Sequence, residues 1–308
     1  MNNQTLMYQS TESQYASFSI DDVMKQVQNL MQDVYQEQDK LLEGKNICID
    51  AIKYHFESPG QNFRAKSCIN ACMKLGINYD DMLILAASAE LLHNASLIHD
   101  DIQDEDQIRR GQPSLWSKYG SSIAICAGDL LISAAYGVLT RYSKSSHLPN
   151  LIKAINHHTA TAIKGQSSDI LFKKEKQISL DDYVSTAKQK SGALICLPIE
   201  LALISAERMD DINLAKMACY NFSVGYQIAD DLEDIIKDTK HSQAGQSLNI
   251  TTVLKDSVAI DTHQKASMMC NKYLDDAVAY ANQLPNESGS FLVSLATKLK
   301  RKISHNLI

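Results

Sequence analysis

Two acidic clusters share one spacing: Asp100-Asp101-Ile-Gln-Asp104, extended by Glu105 and Asp106, and Asp230-Asp231-Leu-Glu-Asp234. On a helix, the first and last Asp of each cluster stand about one turn apart on one face, with the second Asp beside the first. Like charges this close repel and weaken a helix unless something neutralises them. Mg2+, a hard cation that takes oxygen ligands and keeps several waters, does so naturally. A solvated helix face is the ordinary account of one such cluster. Two copies, each within an apolar helical run, point instead to metal held against a diphosphate. Asp100, Asp101, Asp104, Asp230, Asp231 and Asp234 are therefore the candidate metal ligands.

Polar neighbours extend this chemistry. Arg109 and Arg110 follow the first cluster, and a guanidinium fork suits phosphate oxygens. If the helix continues, they point apart and serve two anions; pairing with Asp104 or Asp106 is the alternative. His93 precedes Asp100 by nearly two turns and shares its face, either as part of the site or as a neutral core histidine. Gln227 stands three and four residues before Asp230 and Asp231, where it can donate to a metal-bound phosphate or make a structural hydrogen bond.

The elements that must position these groups read as helices. Only 12 Gly and 5 Pro occur in 308 residues, which leaves few reversals and argues for an all-α chain of long helices. Ser19-Ile-Asp-Asp22 has capping-box spacing, followed by Val23, Val27, Leu30, Met31 and Val34 at helical intervals. A break is expected at Glu57-Ser-Pro-Gly60 and a stop at Gly76. Asn78-Tyr-Asp-Asp81 opens the helix carrying the first cluster, with Gly111-Gln-Pro113 ending the segment. Further helices are expected near 122–140, 157–170 and from Asp211. Ser179-Leu-Asp-Asp182 repeats the capping signature, and Pro198 should kink or divide the run after it. No linker composition interrupts the chain. Residues 1–18 are expected to be a flexible N-terminal segment, and 19–308 one helical domain of about ten helices.

A net charge of −6 and a pI near 5.8 give no broad attraction to nucleic acid or anionic lipid. The patch Lys298, Lys300, Arg301 and Lys302 reads as a solvated helix rather than a nucleic-acid surface. Seven scattered cysteines without a Cys-x-x-Cys pair read as reduced filler in a cytoplasmic protein. Cys68 and Cys72 could share a helix face but make a poor metal site alone. The polar N-terminus lacks signal-peptide character, and Ser191–Ala206, the greasiest stretch, is too short to span a bilayer and contains Glu200. No transmembrane segment is expected.

The segment LLHNASLIHDDIQDEDQIRRGQPS resembles the first Asp-rich region of the trans-isoprenyl diphosphate synthases, the polyprenyl synthetase family, and GYQIADDLEDI resembles their second. Ala127-Gly-Asp-Leu130, Gly165-Gln166 with Asp169, and Lys190-Ser191 resemble three further family elements in the expected order. The resemblance implies an all-α, single-domain helical bundle around a deep central cavity, paired as a homodimer. It implies that the six Asp residues hold three Mg2+ ions around an allylic diphosphate, touched by Arg109, Lys190 with Ser191, and, by a looser match, Lys240. Arg64, Arg110 and His93 would belong to an isopentenyl diphosphate site. The implied reaction condenses isopentenyl diphosphate with an allylic prenyl diphosphate into a longer trans-prenyl diphosphate. Ala95 and Ser96 are small where several short-chain relatives place bulky aromatics, so products of C20 or longer are expected. Leu92, a turn further, could close the tube.

Departures from the family pattern define the alternatives. Pro59-Gly60-Gln61-Asn62-Phe63-Arg64-Ala65 retains the arginine of a Gly-Gly-Lys-x-x-Arg-Pro stretch but replaces its lysine by Gln61 and its proline by Ala65. Glu43-Gly-Lys45 is a distant alternative source of lysine. Gln246-Ser-Leu-Asn-Ile-Thr251 stands where many relatives have Gly-Lys-x-Thr-Leu-Pro. Loss of the lysine cation motivates a terpene synthase, which ionises a prenyl diphosphate without a second one. A weakly active partner subunit of a prenyl synthase is the non-enzymatic alternative.

Overall fold

The computed structural model describes residues 19–37, 46–58, 60–173, 175, 178–238, 249–254 and 262–306. The segment 1–18, Lys45, Pro59, Lys240 and residues 246–248 lie outside them. The expected all-α class is observed: the described residues form thirteen α-helices and one two-stranded hairpin.

The chain divides into two compact units. One comprises the chain to Ile155 together with Leu201–Arg208; the other comprises Asn156–Glu200 and the chain from Met209. In the first unit, α1 (Ile20–Glu37), α2 (Ile47–Glu57), α3 (Phe63–Leu75), α4 (Tyr79–Gln103), α5 (Leu115–Tyr119) and α6 (Ser121–Gly137) follow in order. Helix α4 is buried almost all round from Asp81 to Leu92, and α1, α3 and α6 pack against it. Its apolar runs carry no single stripe, as a core helix requires.

The predicted start and stop signals operate as read. Ser19 Oγ accepts from Asp22 N at 3.2 Å, and Asn78 Oδ1 accepts from Asp81 N at 2.9 Å. Gly76 ends α3 at φ 72°, a left-handed cap that glycine adopts without strain. Buried Asp81 also accepts from Ser143 N at 2.8 Å and Ser143 Oγ at 2.6 Å, so the start of α4 is tied to a distant loop.

Helix α7 (Leu148–Phe172) runs from the first unit into the second. It is followed by α8 (Leu180–Ala187), a π turn at Lys188–Gly192, α9 (Ala193–Ser205) and α10 (Ile212–Asp238). The short α11 (Ile250–Val253), α12 (Thr262–Ala281) and α13 (Ser290–Asn306) complete the order. The second unit centres on α10 against α12, with α13 packed on α12. Ser179 caps α8 as expected, accepting from Asp182 N at 3.1 Å. Pro198 does not divide its run: it sits inside continuous α9, and the irregular geometry comes earlier, at the π turn. The C-terminal basic patch is an ordinary paired helix face, Lys300 with Asp275 and Lys302 with Glu233.

Candidate active site

In the first unit, α4 ends at Gln103 and Asp104 is its C-cap. Asp104 N bonds to Asp100 O at 2.8 Å and Asp106 N to Asp101 O at 2.9 Å, so the acidic segment wraps the helix end. The helix does not continue through the two arginines, contrary to one branch of the expectation. Instead Ile108–Arg109 pairs with Gln112–Pro113 as an antiparallel hairpin. Arg110 and Gly111 turn it at φ 54° and φ 80°, as a two-residue primed turn requires.

That hairpin returns Arg109 to the acidic end. Its Nε donates to Asp101 Oδ1 at 2.8 Å, Nη2 bonds the same oxygen, and Asp106 Oδ2 lies 3.7 Å away. Asp101 is 1% exposed, and its Oδ2 is buried with no partner among the described residues. Burial pushes its carboxyl up, and Arg109 partly offsets this. Asp100 and Asp104 are half-buried beside it.

Arg110 points elsewhere: its Nη1 donates to Ser58 O at 2.8 Å, and its guanidinium lies where a Cβ on Gly60 would sit. Arg64 Nη1 lies 3.1 Å from His93 Nε2. The guanidinium is the donor, so that ring nitrogen is unprotonated and the imidazole neutral. Burial and the charges of Arg64 and Arg110 hold His93 well below the usual imidazole range. A cavity of about 380 Å³ adjoins these groups, lined by Met24, Tyr35, Phe56, Gly60, Glu90 and Arg110 among others. Gln61 is exposed, while Leu92 and Ala95 are buried on α4. Ser96 is half-buried, its Oγ donating to His93 O at 2.8 Å.

Sequence reasoning missed several residues of this region. Glu90 is buried, accepting from Ala65 N at 2.9 Å and Asn94 Nδ2 at 3.3 Å, while Asn94 Oδ1 meets His55 Nε2 at 3.0 Å. His99 Nε2 lies 3.6 Å from Asp129 Oδ1, and its ring occupies the space over Gly128. The Ala127-Gly-Asp element thus meets the turn before Asp100. Adjacency of His99 to the cluster was the only signal for it.

In the second unit, Asp230 is exposed on α10, whereas Asp231 is turned inward at 5% exposure. Tyr183 Oη and Ile250 N each donate to Asp231 Oδ2 at 2.7 Å. Gln227 Nε2 donates to Oδ1 at 2.9 Å, so its hydrogen bond is the structural one. Burial nevertheless lifts Asp231 to about 6. The cluster is thus split by orientation, with Asp231 occupied by protein donors rather than aimed outward as a ligand. The side chain of Asp234 lies outside the described residues.

Lys190 stands on the π turn, beside half-buried Ser191, and its Nζ meets Asp169 Oδ2 at 2.6 Å. Lys173 approaches the same oxygen at 3.6 Å. A Cβ on Gly165 would strike the backbone of Gln189 and Lys190, so this glycine lets α7 meet the π turn. Gln166, the next residue, is buried with neither amide atom partnered among the described residues.

The fold has solved counterparts. A geranylgeranyl pyrophosphate synthetase from Pyrococcus horikoshii matches 97% of this chain and 99% of its own at TM-score 0.78 and 20% identity. A geranyltranstransferase from Thermotoga maritima matches 90% of this chain and 97% of its own at TM-score 0.72 and 23% identity. These likenesses define an isoprenyl-synthase-type helical fold. The polyprenyl synthetase family model matches residues 45–279, and the chain belongs to that family. A short chain isoprenyl diphosphate synthase from Methanocaldococcus jannaschii is 28% identical over 213 residues, covering 69% of this chain and 65% of the relative. A (2E,6E)-farnesyl diphosphate synthase from Mycobacterium tuberculosis is 35% identical over 149 residues, 48% of this chain and 41% of the relative. The matched stretches thus span about two fifths to two thirds of these relatives' length.

Proposed function

We propose that the protein is a Mg2+-dependent prenyltransferase that condenses isopentenyl diphosphate with an allylic prenyl diphosphate into a trans-prenyl diphosphate five carbons longer, of C20 or more. One observation carries the proposal: the buried Asp101 has one oxygen held by Arg109 and the other without a partner among the described residues. Leaving a buried charged acceptor unsatisfied costs about 1–3 kcal/mol or more. A hard cation beside Asp100 and Asp104 removes that cost, and an all-carboxylate donor set suits Mg2+. Family membership supports the same reading.

When bound, Mg2+ supplies charge stabilisation for the departing diphosphate. In the second unit Asp230 and Asp234 are the proposed ligands, while Asp231 fixes α10 against Tyr183 and Ile250. Arg109 and Lys190, held on Asp101 and Asp169, are the proposed cations for the allylic diphosphate, with Ser191 and Lys240 as lesser contacts. Arg64 and Arg110 take isopentenyl diphosphate; His93 orients Arg64 by accepting from it. Leu92 and Ala95 supply apolar surface that an allylic cation needs to escape water. The double bond of isopentenyl diphosphate forms the new carbon bond, and the proton lost passes to the released diphosphate. Seven free cysteines support a reducing, cytoplasmic setting, and a homodimer is the proposed assembly.

Mass analysis of products from isopentenyl diphosphate with dimethylallyl, geranyl, farnesyl or geranylgeranyl diphosphate in Mg2+ tests the proposal. Longer diphosphates reaching C20 are expected, with Asp101→Asn and Asp230→Asn lowering kcat by about 10²–10³. No elongation with any primer overturns it. A hydrocarbon or alcohol formed without isopentenyl diphosphate identifies a terpene synthase instead.

A further inference from the structure

Glu90 has no part in the chemistry proposed for the metal and diphosphate groups. It stands on α4 three residues before His93, is 3% exposed, and lines the cavity that Arg110 also lines. Its Oε2 accepts from Ala65 N at 2.9 Å, and Oε1 accepts from Asn94 Nδ2 at 3.3 Å. Asn94 is itself fixed, donating to Glu90 O at 2.8 Å and meeting His55 Nε2 at 3.0 Å through Oδ1. Ala65 is the third residue of α3 and directly follows Arg64, whose Nη1 reaches His93 Nε2 at 3.1 Å.

The first-turn N–H groups of a helix have no partner within it. An N-cap side chain commonly takes one of them, but Asn62 makes no such bond and stands at φ 50°. Glu90 supplies the cap from another helix, and a carboxylate suits the positive end of the helix dipole. Packing alone does not call for it, because a buried carboxylate costs more than an apolar side chain of similar volume. Proline, which the family pattern carries at position 65, has no N–H to give, so this bond arises from the chain's own departure. We infer that Glu90 is a positioning residue for isopentenyl diphosphate: it caps α3 at Ala65 and so holds Arg64 against His93. The inference rests on the reading that Arg64 takes this substrate. Both anchors of Arg64, its main chain through Ala65 and its guanidinium through His93, lie within one turn of α4. Losing one lets the arginine swing about the other. Gln61 brings no charge to this end of α3, so the placement of Arg64 counts for more.

Steady-state kinetics on the full chain, with each diphosphate varied in turn, test this on variants shown to be folded by circular dichroism and Tm. Arg64→Ala should raise KM for isopentenyl diphosphate, which checks the underlying reading. Glu90→Ala should raise the same KM about five- to tenfold, the factor of one lost N-cap hydrogen bond, and leave kcat and KM for the allylic diphosphate within about twofold. Ala65→Pro is tolerated in a first helical turn, removes the N–H and puts a ring carbon in the path to Oε2, so it should give the same selective rise. Glu90→Gln keeps an oxygen for Ala65 N without the charge and should bring KM back near the parent value. Combining Glu90→Ala with Ala65→Pro should add nothing, since both remove one bond. Hydrogen exchange at the Ala65 amide should quicken in Glu90→Ala and not in Glu90→Gln, a comparison that holds even where Ala65→Pro does not fold. Equal exchange in parent and Glu90→Ala, a loss spread over kcat and both KM values, or Glu90→Gln behaving as Glu90→Ala overturns the inference. A rise with Arg64→Ala and none with Glu90→Ala strikes the positioning role alone; no rise with Arg64→Ala strikes the reading of Arg64 as well.

Discussion

A buried imidazole stays charged only where its partners outweigh the loss of water, and two histidines here fall on opposite sides of that balance. Burial opposes charge on His158, but hydrogen bonds to Cys196 and Glu200 win and lift it to about 9. A raised folded value makes its contribution to stability complete below the ordinary pKa of about 6.5 and lost as pH rises through 9. Tm should therefore fall between pH 6.5 and 9, and His158→Gln should flatten that fall. His55, driven down to about 4 by burial despite its bond to Asn94, behaves oppositely. Its contribution is present above pH 6.5 and lost as pH falls towards 4, so the gap in Tm between parent and His55→Gln should narrow over that range. At this scale the sequence was legible where charge spacing carried the message: both Asp clusters lie on or at the end of the helices expected of them, whereas Arg109 stands on a hairpin that spacing did not announce. It was silent on orientation. Spacing says which residues share a face, but only packing decides that Asp231 turns inward to Tyr183 while Asp230 remains exposed.

Helix ends marked by side-chain chemistry were readable. Ser19, Asn78 and Ser179 each cap the helix their spacing announced. The end of α4 was not, because Glu105 and Arg110 adopt φ 57° and φ 54°, and such positions are unmarked when the residue is not glycine. The π turn carrying Lys190 was equally hidden, yet it depends on a nearby element in a way that can be tested. A methyl on Gly165 meets main chain at Gln189 and Lys190, whereas one on Gly128 meets only the His99 ring, which can rotate. Gly165→Ala should cost about 1–3 kcal/mol, the usual range for overpacking, measured by urea unfolding. It should also raise KM for the allylic diphosphate by displacing Lys190 from Asp169. Gly128→Ala should be milder in stability, and equal costs would mean that the π turn adjusts freely.

The chain changes unit inside α7, at Ile155, inside α9, at Glu200, and again after α9, at Arg208, and no linker composition marks any of the three. A continuous helix leaves no Gly, Pro or Ser signal, so a single domain was the reading available from composition. The apolar helix expected near 122–140 is α6, but the sequence did not tell which of its faces stays uncovered, and that face has a consequence for assembly. Residues 79–103 and 121–141 both form helices long and apolar enough to cross a membrane. The first is largely buried as a core helix, but less than half of the second is. Ile125, Ile132 and Tyr136 follow one another at helical spacing on its incompletely covered side, with Ile125 47% exposed. A bilayer is a poor cover for this helix, because Asp129 lies near its middle with 66% of its side chain exposed, and an acidic group at bilayer depth costs about 2.5–3.5 kcal/mol or more. A second copy offers apolar cover along the face while leaving Asp129 access to water at its rim. Light scattering after size exclusion should then give about twice the chain mass of 34.2 kDa. Ile125→Asp should yield folded monomers, since an uncompensated carboxylate would be desolvated in the contact. Met268→Asp, at a comparably exposed position on α12, should remain dimeric. A monomeric parent, or a dimer unaffected by Ile125→Asp, would remove α6 as the interface.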